Sequence, residues 1–351
     1  MSILFGFVIA YWVVSIGIGL WAGRLVKNSR DFAIAGRNLP FYIVTATVFA
    51  TWFGSETVLG IPATFLQGGL NSIVADPFGA SLCLILVGLF FAAPLYRMKL
   101  LTIGDFYKLR YGSKVELLTT IAIIISYLGW VGAQITALGL VFNLLSDGGI
   151  STVQGMWIGS MTILIYTFFG GMWAVAITDF IQMIVIVLGM LWIGGEISGQ
   201  VGGVGVVAQH AYDAGKFNFW PDGNFAAVAG FIAAWGTLMF GSMPQQDVFQ
   251  RVQSAKNINI AVWATVLGGV MYFVFAFIPM FLAYSATLID PTMVARLIDT
   301  DPQKILPTLV MTKAPLIAQI LFFGALLSAI KSCASATLLA PSVMFAENIL
   351  K

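Results

Sequence analysis

Charge is scarce in this sequence: Asp, Glu, Lys and Arg make up 9% of its 351 residues, where soluble domains run at about 25%. That scarcity argues against an ordinary water-facing globule, and no basic patch suited to nucleic acid is present. Only two cysteines occur, Cys83 and Cys333, both inside apolar stretches, so no disulfide framework is indicated. The single histidine, His210, has no carboxylate or cysteine at metal-ligand spacing. Neither a nucleophile elbow nor a phosphate loop appears, and an enzyme is not expected. No low-complexity linker divides the chain, and no polar module is long enough to fold alone.

Apolar sequence fills the space that charge leaves. Hydrophobic residues reach 59%, with mean hydropathy +0.94. Crossing a hydrocarbon core of roughly 30 Å takes about 20 helical residues, and about nine stretches of that kind recur. They cover 2–23, 40–66, 73–96, 116–146, 152–169, 172–195, 224–249, 258–287 and 314–341. The first lacks a basic leading region and an A-x-A-like cleavage site, so it reads as a helix. The expected fold is an all-α polytopic membrane protein, and its surroundings are the lipid bilayer.

Basic residues divide between alternate loops. Arg24, Lys27, Arg30, Arg37, Arg97, Lys99, Lys108, Arg110, Lys114, Arg251, Lys256 and Lys351 fall on one side; Lys216, Arg296, Lys304 and Lys313 fall on the other. The positive-inside rule makes the first side cytoplasmic, with the N-terminus external and the C-terminus cytoplasmic. A bacterial inner (plasma) membrane is the expected location. Of the 17 basic residues one remains, Lys331, which stands at membrane depth inside "SAIKSCASATLLAPS".

Two stretches read as interrupted helices. One is "TATVFATWFGSETVLGIPATF", with Gly54, Gly60 and Pro62; the other is "FIAAWGTLMFGSMPQQDVFQR", with Gly236, Gly241 and Pro244. Lipid cannot satisfy backbone groups freed by such breaks, so they survive where they line an enclosed polar cavity. Glycine and proline also merely kink membrane helices, which is the plainer reading. If the span at 2–23 is peripheral, the breaks fall at the first and sixth helices of the core, at corresponding places in two five-helix halves. Matching breaks in two opposed five-helix halves point to a transport site near the midplane.

In order along the chain, "AGRNLP", "ATWFGSETVLGIP", "LTIGDFYKLRYG", "YTFFGGMWAVAITDFIQM", "PQQDVFQRVQSAKN" and "SAIKSCASATLLAPSVMFAENILK" resemble the sodium/solute symporter family. Some positions are like those of its choline-transporter branch. The resemblance implies a leucine-transporter-like inverted repeat within a single domain, 1–351. Residues 1–23 would be a peripheral helix, 40–195 the first repeat, 224–341 a partial second repeat and 342–351 a cytoplasmic tail. Family members continue past 341 with further helices, which implies a fragment or a truncated protein with its second repeat incomplete.

By the same resemblance, sodium would lie between the carbonyls of Ala50 and Phe53 and, opposite, Ala329 and Ser332, because a hard cation takes oxygen ligands. Where a second hydroxyl is common, Cys333 stands; where an uncharged residue is usual, Lys331 stands. An ammonium at that depth costs from about 2.5 kcal/mol upward unless paired or hydrated. Asp179 is its expected partner, roughly 10 Å deep against roughly 15 Å for Lys331 by helix rise, with Glu56 second. On that reading Lys331 takes over part of sodium's role, and coupling is lost or replaced by protonation of Lys331. Otherwise Lys331 extends into the cytoplasmic vestibule and leaves the sodium shell intact.

Trp52 and Trp130 match tryptophans that surround the quaternary ammonium in choline transporters, and tryptophan faces attract cations. The third tryptophan of that cage is replaced by Gln245. Gln245 and Gln246 therefore imply hydrogen bonding to a polar solute, with Ser55, Gln134 and Thr136 as further contacts. Asp76, before Pro77, reads as a helix-start residue, and Asp105, Lys108 and Arg110 as a solvated loop.

The implied function is secondary active transport of a small polar organic solute by alternating access, with Na+ or H+ as coupling ion and no cofactor. An alternative is a symporter-like sensor domain of a histidine kinase cut off at residue 351. The residues set no oligomeric state.

Overall fold

The computed structural model describes residues 3–351; Met1 and Ser2, the latter at the start of the first expected span, lie outside the described residues. Among the described residues the regular structure is helical, with one isolated bridge between Leu39 and Ala255. Six helices are long and apolar enough to cross a membrane, and a bent pair makes a seventh.

The chain begins with α1 (Ile3–Ala22), which lies against α9 and α16. Asn28 caps the short α2 (Ser29–Ile34) by accepting from the Asp31 N–H, as N-cap asparagines do. The "AGRNLP" turn that follows takes left-handed backbone at Ala35, Gly36 and Arg37. It brings Leu39 beside the far end of the chain's other interruption: the Leu39 N–H donates to the Ser254 carbonyl at 3.0 Å, and Lys256 N–H donates to the Leu39 carbonyl at 3.0 Å. Arg37 fastens the joint, donating to Gln253 Oε1 at 2.9 Å and the Tyr96 carbonyl at 2.7 Å while its guanidinium lies 3.8 Å from the Tyr96 ring centre.

From this anchor α3 (Phe41–Trp52) runs to a break, passes through a π-helical turn (Glu56–Gly60) and continues as α4 (Ile61–Gly68). Residues 70–98 form one apolar span that contains α5 (Ala80–Leu86) and α6 (Ala92–Met98). A capping box of Thr102 and Asp105 starts α7 (Ile103–Tyr111), so Asp105 is a helix cap and also accepts from Asn348, rather than a merely solvated charge. Next come α8 (Ser113–Leu145) and the 49-residue α9 (Thr152–Gln200). Gly171 breaks α9 at φ 47°, ψ −141°, between the two ranges expected as separate spans. A Cβ there would come within 2.5 Å of the Phe32 carbonyl oxygen, so both the conformation and the close approach require glycine.

After the small α10 (Val204–Asp213), α11 (Phe225–Gly241) and α12 (Gln246–Ser254) form the bent pair, with an angle of 43°. α13 (Ile258–Ile289) is followed by α14 (Pro291–Leu297) and α15 (Ile305–Lys313), and then by α16 (Leu316–Phe345). Every residue of α16 from Phe322 to Thr337 is buried, because α1, α3, α8, α9 and α12 all pack on it. A helix that is apolar all round belongs at the centre of a bundle, and this one carries Lys331 there.

The interruptions are narrower than expected. Gly60 and Pro62 lie in helical turns, and so does Gly236; the breaks fall at Phe53–Ser55 and Ser242–Gln245.

Candidate functional site

At the first break the helical ladder is redirected. Phe53 leaves helical geometry at φ −83°, ψ 73°. The Gly54 N–H, which would continue the helix by bonding the Ala50 carbonyl, turns to the Trp52 carbonyl at 3.0 Å. Ser55 N–H, the corresponding partner for Thr51, is taken by Gln134 Oε1 at 3.0 Å. Carbonyl oxygens of Ala50 and Thr51 are thereby released from their usual i+4 donors. The break can sit against α16 because residue 54 is glycine: a Cβ there would come within 2.8 Å of both Cys333 Sγ and Glu56 Oε2.

Beside the break lies a cavity of about 370 Å³ lined by Trp52, Glu56, Asp76, Trp130, Gln245 and Tyr272, with Ala80, Ser126, Ala133, Leu238 and Ser242 completing the wall. That volume is within the range of small-molecule sites. Glu56 accepts from Trp130 Nε1, Gln134 Nε2 and Ser55 Oγ. Tyr272 donates to Asp76 Oδ1 and pairs with Thr57 Oγ1 at 3.1 Å. Trp52 Nε1 donates to Asp247 Oδ2 at 3.0 Å, and Tyr127 donates to the same carboxylate. The second break enters the wall through Ser242 and Gln245, so both interruptions face one chamber.

Trp52, Trp130 and Gln245 line this cavity. Ser55 and Gln134 hold the break and Glu56 without lining the cavity. Gln246 does not face the cavity: it is buried against the α7 start, accepting from Ile103 N–H at 2.8 Å and donating to the Leu101 carbonyl. Thr136 is exposed and bonds back to Gly132 within its own helix. Asp76 has extended backbone (φ −139°, ψ 120°) where the helix resumes at Pro77, and its side chain is also a wall of the cavity. Sequence reasoning also passed over Tyr272 and Asp247, and it treated Glu56 only as a partner for lysine. The available signal was a carboxylate inside an apolar span, which marks function by default.

A second buried cluster joins α3, α9 and α16. Asp179 accepts from Ser332 Oγ at 2.6 Å and from Thr47 Oγ1. The expected Asp179–Lys331 ion pair is not formed among the described residues. The Lys331 ammonium instead bonds Ser15 Oγ of α1 and lies 4.8 Å from the Tyr166 ring centre and 5.3 Å from that of Trp12. Successive residues on a helix diverge by about 100°. Ser332 faces Asp179 and the broken helix, so Lys331 is turned toward α1. Extension into a cytoplasmic vestibule is excluded as well, since the side chain is buried.

Residues 32–351 match the sodium:solute symporter family model. Human high affinity choline transporter 1 is 29% identical over 97% of this chain and 61% of its own length; the Caenorhabditis elegans counterpart is 27% identical over 98% and 62%. The sodium/glucose cotransporter of Vibrio parahaemolyticus is 26% identical over 97% of this chain and 67% of its own. A solved Na+-coupled sialic acid symporter, in a substrate-bound outward-open state, superposes with a TM-score of 0.86 at 21% identity, covering all of this chain and 74% of that one. The chain thus spans about three fifths of the length of the choline transporters it matches, and by a family match over nearly all its residues it belongs to the sodium:solute symporter family.

Proposed function

We propose that the protein is a sodium-coupled secondary transporter moving a small polar organic solute by alternating access around the two broken helices. One observation carries this reading: the α3–α4 break opens on one side to the 370 Å³ cavity and on the other to Cys333 and its neighbours on α16. Freed carbonyls and a solute chamber on one interrupted helix are what coupling an ion to a solute requires.

In this reading sodium travels between Ala50 and Phe53 on α3 and Ala329 and Ser332 on α16. Ala50 supplies a carbonyl no longer engaged by Gly54, and Ser332 a hydroxyl. Asp179, buried and bonded to Ser332, supplies negative charge without an ion pair among the described residues. Cys333, a poor ligand for a hard cation, faces Glu56 at 3.9 Å. Lys331 is committed to Ser15 and two aromatic faces, which favours sodium coupling over a fixed ammonium in sodium's place.

The membrane arrangement follows the same reading. The ranges 3–22, 41–68, 70–98, 113–145, 152–170, 172–200, 225–254, 258–289 and 316–345 make about nine crossings. The first is peripheral, the next five form one repeat and the rest begin an inverted second. The Arg97–Lys114 side is cytoplasmic, in a bacterial plasma membrane. Solute uptake by the full-length protein in proteoliposomes, with and without a sodium gradient, tests the reading. Accumulation that follows the gradient supports it; uptake indifferent to sodium overturns it.

A further inference from the structure

The hydrogen bonding of the cavity wall is one-sided. Its aromatic donors are already committed: the N–H of Trp130 goes to Glu56, that of Trp52 to Asp247, and the Tyr272 hydroxyl to Asp76. Asp76 adds an acceptor to the same wall. Asp76 Oδ2 receives no donor among the described residues, since Tyr272 bonds Oδ1. Gln245 Oε1 is buried without a partner. Glu56 and Asp76 place two carboxyl groups on the wall, and no lysine or arginine pairs with either among the described residues. Carboxylates at membrane depth that lack a partner are costly, and a cation offsets that cost.

The rings are arranged against a quaternary ammonium. Trp130 stacks on Tyr127 with centroids 6.0 Å apart and an interplanar angle of 13°, so one of its faces is covered. Trp52 meets Trp130 at 76° and Tyr272 at 82°, edge to face. Gln245 contributes an amide to the wall and no aromatic face. An enclosing aromatic cage, which suits a methylated cation, is thus incomplete, whereas a free carboxyl oxygen suits N–H donors.

We propose that this cavity takes an organic cation bearing N–H groups, a small primary amine or diamine, with Asp76 Oδ2 accepting from it and Glu56 supplying a second carboxyl group. The assignment rests on the cavity being the solute site of the transport reading. It goes beyond that reading in naming the charge and the hydrogen-bonding character of the solute.

Binding to the purified full-length protein in sodium is measured by thermal shift and calorimetry with four probes: 1,4-diaminobutane, n-butylamine, the bis-trimethylammonium analogue of the diamine, and 1,4-butanediol. The two amines are expected to bind, with the bis-quaternary compound and the diol weaker by about tenfold or more. D76N is expected to weaken diamine binding by about tenfold or more while the half-saturating sodium stays unchanged. E56Q should act alike, but Glu56 also holds Trp130 and Gln134, so D76N is the decisive variant. Equal binding of diol and diamine, a bis-quaternary compound that binds as well as the diamine, or unchanged affinity in D76N would overturn the assignment. So would a rise in half-saturating sodium in D76N with diamine affinity intact. Sodium-driven uptake of the diol, insensitive to D76N, would overturn the amine assignment and leave the transport reading standing. Diamine binding without sodium-driven uptake would do the reverse.

Discussion

Ser332 donates to Asp179 at 2.6 Å across the α9–α16 interface, while Lys331, one residue earlier, turns its ammonium to Ser15 on the opposite flank. The buried carboxylate is therefore left to two hydroxyls, an arrangement that leaves charge for a mobile cation. D179N keeps the shape and removes the charge. It is expected to raise the half-saturating sodium for uptake about tenfold or more, read from uptake against sodium concentration. S332A should shift the same curve in the same direction.

Lys331 gives a contrasting expectation. Its contacts with Trp12 and Tyr166 contribute about 0.5–2 kcal/mol, against a burial penalty of several kcal/mol for the ammonium. Ser15 Oγ also donates to the Trp12 carbonyl at 2.9 Å, so its hydroxyl stays satisfied without the lysine. K331M should therefore melt at or above the wild-type Tm and keep the same sodium dependence. S15A, which leaves the ammonium without that oxygen, should cost about 1–3 kcal/mol, measured by thermal unfolding in detergent.

Gly54 is a position of close approach. In G54A the new methyl meets Cys333 Sγ and Glu56 Oε2, each at 2.8 Å, so the break must shift. Uptake is expected to fall by about tenfold or more, with partial recovery in the G54A/C333A double variant because one of the two obstacles is removed. Transport rates normalised to membrane abundance give the comparison.

The joint between the two broken elements depends on Arg37. R37A removes hydrogen bonds to Gln253 and the Tyr96 carbonyl together with the stack on Tyr96. The loss should be about 2–4 kcal/mol, seen as a lower Tm, and R37K should recover less than half because it lacks the planar fork.

At the end of α13, Asp290 caps α14. The Met293 N–H, then the Thr292 hydroxyl and Lys313 hold its carboxyl down at about 2. A folded-state value below the unfolded one gives stability that is fully present above about 4 and lost as pH falls toward 2. Proteolysis of the 290–313 loop in sealed vesicles should therefore accelerate below about pH 4 in the wild type. D290N should show no such acid step.

Much of the architecture was legible because it is written locally. Apolar runs of spanning length, glycine and proline at the interruptions, and basic residues on alternate loops are properties of neighbouring residues, and each reports on lipid or water directly. Trp52, Trp130 and Gln245 are found on the cavity wall. Gln246 is not, although it is the next residue, because one step along α12 carries it away from the chamber to the α7 start. Asp76 was read only as a helix start, and its side chain went unplaced for a similar reason. Before a proline it has the sequence appearance of a cap, and its true partner, Tyr272, lies 196 residues away.

The sequence by itself determined that this chain crosses a membrane many times, where two of its helices must break, and that a charge stands inside one of its apolar spans. Hydropathy and backbone chemistry act over a few residues, and they need no fold to be read. Only the tertiary structure decided that Lys331 turns to α1, that Asp179 keeps Ser332, and that Glu56 and Asp76 share one chamber. Those outcomes depend on which helix lies across from which, and a rotation of about 100° per residue is enough to exchange one partner for another.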